Sequence, residues 1–210
     1  MQQSRKRGDA SPSREAIADA ALAYLDSGQL ESLSIRGLAD RLGSFHANLY
    51  RRIASKDELL DLVAAAIFAA AGPVPRTGAD PREELLDYGC RLRAAWLSHP
   101  NAYPLLLRGA HPAVMSAMDG VSGALFELGL PAERVVAGLR VFMSHVFGYV
   151  LVESLPLADP QPEPLPQPSM GDYPHLERLS TSVPPQDPAT AATNNDELFR
   201  SALAHLLDGL

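Results

Sequence analysis

The segment Ser34–Ile53 carries two apolar periods, each too short to be a stable helix by itself. Ile35, Leu38, Ala39 and Leu42 follow the i, i+3, i+4, i+7 template, and Gly43 stops the run after two turns. A second short helix is predicted from Phe45 to Arg52, with Leu49 and Ile53 as its apolar side. Two such pieces persist only if longer neighbours brace them. The chain supplies both. A helix starts near Ser11-Pro12-Ser13, carries Ile17, Ala21, Tyr24 and Leu25, and stops at Ser27-Gly28. Ser55-Lys56-Asp57-Glu58 is a capping-box pattern. It opens a long apolar helix with Leu59, Leu60, Val63, Ile67 and Phe68, broken by Gly72-Pro73-Val74-Pro75.

Helical punctuation continues beyond that break. Asp80-Pro81 opens a helix containing Leu85, Leu92 and Trp96 that ends before Pro100. A short segment, Asn101–Arg108, precedes His111-Pro112 and a helix to Leu128-Gly129. Pro131 opens a longer one running to about Ser154-Leu155. Ten of the 18 prolines lie between Pro156 and Pro188, which excludes one regular element there. That stretch reads as a loop, either a connector or a lid, with room for one short helix around Pro174–Leu179. An amphipathic helix, Asn195–Leu210, closes the chain. No alternating strand pattern and no repeat is present. The expected fold is all-α: a flexible basic arm (1–12), a head with a helix-turn-helix (13–56), and a helical body (57–210) with a connecting helix (57–71) and a Pro-rich loop (156–194).

Charge divides at the same place. Residues 1–56 hold nine Lys/Arg against six Asp/Glu, and residues 57–210 hold nine against nineteen, a net +3 followed by −10. Phosphate attraction is local and screened, so a basic head on an acidic body suits a polyanion. The single cysteine, Cys90, forbids an internal disulfide and fits a reducing compartment. No run of 18 apolar residues and no apolar leader is present, so a cytoplasmic protein without a membrane partner is expected. There is no Ser-His-Asp motif, phosphate-cradling Gly loop or carboxylate cluster with metal spacing, and no enzymatic activity is expected.

The second short helix offers His46, Asn48, Tyr50, Arg51 and Arg52 on one face, groups able to meet base edges and phosphates in a major groove. The stretch SIRGLADRLGSFHANLYRRIASKDELL, Ser34–Leu60, strongly resembles the tetracycline-repressor (TetR) family of bacterial regulators. Its landmarks are Leu38-Ala39, Leu42-Gly43, Leu49-Tyr50 and Ser55–Leu60, and with the first helix the resemblance covers roughly residues 13–70. It implies DNA contacts by Arg36, by His46, Ala47, Asn48, Tyr50, Arg51 and Arg52 of the recognition helix, and by Lys56. The family places a small apolar residue and then a polar cap between the two helices, whereas this chain has Ser44-Phe45. Either Ser44 caps a helix that starts one residue early, or Phe45 fills the buried slot by a local shift.

His145–Glu153 and Phe199–Leu210 resemble the tetracycline-repressor subclass, in which these helices form a dimeric four-helix bundle. The apolar stripes Val135, Leu139, Phe142, Val146, Val150 and Val136, Met143, Phe147, Leu151 point to the same homodimer. Two recognition helices would then stand ~34 Å apart on a palindromic operator of double-stranded DNA. The resemblance also implies a small-molecule effector in the body. Candidate lining residues are Trp96, Tyr103, Arg108, His111, Met115, Met118, Phe126, Phe142, His145 and Tyr149. The subclass's metal-ligating His and Glu do not carry over, with Glu153 one place off. No metal or other cofactor is expected, and the effector should be more apolar than a tetracycline–metal chelate.

Overall fold

A computed structural model describes residues 11–28, 30–73, 80–108, 112–158, 170–182 and 187–210. Among them there are helices and turns but no β-strand. The basic arm up to residue 10, His111 and much of the Pro-rich stretch lie outside the described residues.

Helix α1 (Arg14–Leu25) is capped by Ser13, whose hydroxyl accepts from Ala16 N–H. Helices α2 (Ile35–Arg41) and α3 (His46–Tyr50) follow, and Gly43 turns between them at φ 61°, a conformation that favours glycine. Helix α4 (Lys56–Ala71) opens on the capping box. Ser55 accepts from Glu58 N–H at 3.1 Å, and the Glu58 carboxylate accepts from Ala54 N–H at 2.7 Å. Ile17, Leu25, Leu38, Leu49 and Ile53 are fully buried together, so the two short helices are held by α1 and α4 and not by their own propensity.

Helix α4 continues into a bundle with α5 (Pro81–Leu97), α6 (Pro112–Glu127), α7 (Ala132–Ala158) and α9 (Pro188–Asp208). A 3-10 segment, Pro100–Leu107, packs on α7, α4 and α5. Phe68 meets Trp96 and Phe147 edge-on at 5.6 and 6.4 Å, and Tyr88 stacks on Phe142 at 6.3 Å. Helix α7 is long and apolar enough to cross a membrane by length and composition; here Phe142, Val146 and Val150 are fully buried in the bundle.

Two boundaries differ from the sequence expectation. Helix α7 runs three residues past Leu155 through Pro156, which costs one hydrogen bond to the highly exposed Val152, where water can replace it. Helix α9 begins at Pro188 and not at Asn195, because Asp187 caps it, accepting from Thr190 N–H at 3.1 Å and from its hydroxyl at 2.6 Å. The short helix in the Pro-rich stretch is α8 (Pro174–Ser182), whose residues are all exposed.

Candidate nucleic-acid interface and effector clefts

At the Ser44-Phe45 turn neither expected local shift occurs, and α3 begins at His46. Ser44 itself takes the buried slot at 5% exposure, its N–H donating to the Ala39 carbonyl at 3.0 Å. Phe45 stands at the cap position in extended backbone without a side-chain cap bond and is exposed. A hydroxyl is small enough to replace the apolar residue provided that it finds a partner. That partner is Asn48, whose side-chain amide donates to the Ser44 hydroxyl at 3.4 Å.

Asn48 is therefore displaced from the contact face on which the sequence placed it. It is 6% exposed, and its carbonyl accepts from the Ser11 hydroxyl at 2.9 Å. Ser44, Asn48 and Leu49 turn inward, while His46, Ala47, Tyr50, Arg51 and Arg52 face outward with Arg36 and Lys56. Arg36, His46 and Tyr50 line one cleft of about 500 Å³ between α2 and α3, with Ala39 and Asp40 completing it. Asp40 was missed from sequence. A carboxylate beside an imidazole, a phenol and a guanidinium supplies an acceptor among donors, which matches the mixed edges of base pairs.

The rim of this surface is fixed by an ion pair and by hydrogen bonds. The Arg14 guanidinium donates to the Arg52 carbonyl at 2.7 Å and to Glu58 at 2.6 Å, tying the end of α3 to α1 and α4. The Ala54 N–H, and after it Arg14, hold the Glu58 carboxyl below its ordinary range. Arg52 donates to Ser11 at 3.3 Å. Lys56 is the first residue of α4, where the helix N-terminus adds positive potential.

The body's candidate residues are not gathered in one cavity. Trp96 and Phe142 are fully buried core residues, while Met115 and Phe126 lie exposed on α6. Arg108 pairs with Asp57 at 2.8 Å, and Tyr103 is half-buried in the 3-10 segment. His145 and Tyr149 pack with Phe199 in a three-ring cluster. Met118 lines a cleft between α6 and α7. Glu153 is engaged by Arg93 at 2.7 Å. Among the described residues no group of three or more His, Cys, Asp or Glu comes together.

Among the described residues, two clefts of the body lie where the sequence placed none of the other candidates. One, of about 670 Å³, lies between α4, α5 and α6, with Phe68 and Tyr88 as its aromatic wall and Ser116 and Asp119 as its polar groups. The other, of about 330 Å³, lies between α6 and α7. Val114, Met118, Leu139, Met143 and Phe147 give it an apolar wall, and Arg140 and Ser144 supply its polar groups.

Burial holds the His145 pKa below its ordinary value of 6.5, outweighing its contact with the Phe199 carbonyl at 3.2 Å. The unfolded chain then takes up a proton that the folded chain refuses, so stability is full above the unfolded value and falls as pH drops below it. Thermal melting between about pH 7.5 and 5.5 should show this loss, and His145→Gln should reduce it.

An all-helical head with a helix-turn-helix on a helical bundle is the architecture of a transcription regulator. Residues 74–210 match the family model "Tetracyclin repressor-like, C-terminal domain". The chain belongs to the tetracycline-repressor family. It is 31% identical over 144 residues to an HTH-type transcriptional regulator of Saccharopolyspora erythraea, covering 68% of this chain and 61% of that protein. It is 30% identical over 150 residues to the class C tetracycline repressor protein of Escherichia coli, covering 70% of this chain and 68% of that one. The fold superposes with TM-score 0.75 at 26% identity on a possible TetR family transcriptional regulator from Streptomyces coelicolor A3(2), covering 94% of this chain and 98% of that chain. It also matches Streptomyces coelicolor ActR in complex with actinorhodin (TM-score 0.69, 25% identity, 95% and 97% covered). A further match is BioQ with its double-stranded DNA operator (TM-score 0.58, 26% identity, 68% and 88% covered).

Proposed function

We propose that this protein is a transcriptional repressor that binds palindromic double-stranded operator DNA as a homodimer and leaves it when a small molecule binds the body. The observation that carries this is the convergence of Arg36, His46 and Tyr50 on one cleft between α2 and α3. Residues 13–56 form the DNA-binding unit in this reading, with Arg51, Arg52, Ala47 and Lys56 flanking the cleft and Asn48 acting as a positioning residue. Residues 57–210 take the effector and the second protomer. ActR with its ligand and BioQ with its operator support both halves of the proposal. The protein acts on cytoplasmic DNA and performs no catalysis.

Val152 on α7 and Leu198 and Leu206 on α9 are exposed apolar residues on the two helices assigned to the dimer. An isologous pairing across them buries both faces. Light scattering at micromolar concentration should give twice the chain mass, and a monomer overturns the dimer. Selection of bound duplexes from a random pool, followed by a salt titration, tests the DNA assignment. A palindrome whose affinity falls steeply with salt is expected. Failure to enrich any sequence would sink it.

A further inference from the structure

Arg140 is an anomaly on α7. Between Arg134 and Glu153 it is the only Lys, Arg, Asp or Glu, and it sits in the middle of an otherwise apolar run. It is exposed and makes no hydrogen bond or ion pair among the described residues, whereas body arginines 82, 91, 93, 108, 134 and 200 are engaged and Arg178 stands without a side-chain partner on the separate, exposed α8. Arg140 and Ser144, one helical turn apart, line the cleft between α6 and α7. The remaining wall is apolar and contains no carboxylate. The α4–α6 cleft has the opposite character, with Asp119 and no Lys or Arg among its lining residues.

We propose that the α6–α7 cleft takes an apolar molecule bearing one carboxylate, with Arg140 as its counter-charge and Ser144 as a second donor. This rests on the reading that the body holds an effector, and it assigns that effector a charge. At about 330 Å³ the cleft falls at the small end of ligand sites. Met118 and Met143 give it a deformable wall, and Phe147 a flat one. A guanidinium presents a fork that fits a carboxylate with two parallel hydrogen bonds. An uncharged ligand of the same shape forfeits those bonds.

The test uses the full-length protein and two matched pairs, decanoate with decanol and 1-naphthoate with 1-naphthalenemethanol, by titration calorimetry. Each acid should bind about tenfold or more tightly than its alcohol, by a margin that shrinks with salt. Arg140→Gln should erase the margin and leave alcohol affinity unchanged, while Met118→Ala should weaken both members of a pair. Equal binding of acid and alcohol, a margin that survives Arg140→Gln, or no saturable binding of any of the four overturns the proposal. Release of operator DNA, followed in parallel, separates the two readings. Acids that bind through Arg140 without releasing DNA leave the carboxylate site standing and refute effector control. Release by the alcohols at the same concentrations as the acids, or by the acids equally well in Arg140→Gln, keeps effector control and refutes the carboxylate.

Discussion

Replacing Arg36 and Tyr50 together by alanine is expected to weaken operator binding by about a hundredfold or more at physiological salt, without unfolding the head. Both side chains are exposed on opposite walls of one cleft, Tyr50 by 54%, so their removal leaves no buried cavity. Exposed substitutions of this kind change stability by about 0.5 kcal/mol or less. The singles should separate by salt dependence. If Arg36 meets a phosphate, Arg36→Ala lowers the slope of log K against log salt by about 0.9 and weakens all sequences alike. Tyr50→Ala removes an uncharged contact and leaves the slope in place. Asn48→Ala should behave differently from either, because its amide satisfies the buried Ser44 hydroxyl. It should lower the melting temperature of the head and weaken DNA binding together. A fluorescence anisotropy titration at three salt concentrations, with melting curves on the same samples, distinguishes these cases. Unchanged affinity in the Arg36/Tyr50 double variant would mean that the cleft does not face DNA.

What could be read in the sequence was set by the range of the interaction involved. Gly43, the Ser55–Glu58 capping box and the Asp80-Pro81 start are local devices, and each folds as its spacing predicts. Asp187-Pro188 is the same device as Asp80-Pro81, but it stands at the end of a proline-dense stretch that masks it. Asn48 was misplaced for a different reason. Ser44 and Asn48 are polar residues at i, i+4 spacing and look like a wet face, yet they satisfy one another inside. Their burial depends on α1 and α4, which lie outside the motif. The clefts of the body were least visible. Large aromatics such as Trp96 and Phe142 fill the bundle, whereas the α4–α6 cleft opens where Ala65, Ala69, Ala113, Ala117 and Gly120 leave space. Emptiness comes from small residues on helices far apart in sequence, and no local period records it.

Arg93→Met is expected to destabilise the body by roughly 2–3 kcal/mol, or about 5–10 °C in melting temperature. Arg93 is 5% exposed on α5 and reaches Glu153 on α7 at 2.7 Å and Asp196 on α9 at 2.5 Å. Its guanidinium also stands 5.1 Å over the Phe199 ring. Burial pulls its pKa down, but the hydrogen bonds it donates to Asp196 and Glu153 outweigh that and hold it above the ordinary value. The two partners are unequal. Asp196 is 72% exposed and regains water when Arg93 is lost, whereas Glu153 is 20% exposed and is left charged in a poor solvent. The cost therefore lies mainly with Glu153, which keeps the loss below the ~3–5 kcal/mol of a fully buried pair. Methionine preserves packing on Phe199, so the loss reports charge and not volume. Adding Glu153→Gln to Arg93→Met should restore much of the stability, while adding Asp196→Asn should restore little. Equal rescue by both, measured in a double-mutant cycle by denaturant titration, would show that α9 is held to the bundle by its exposed carboxylate as firmly as α7 is by its buried one.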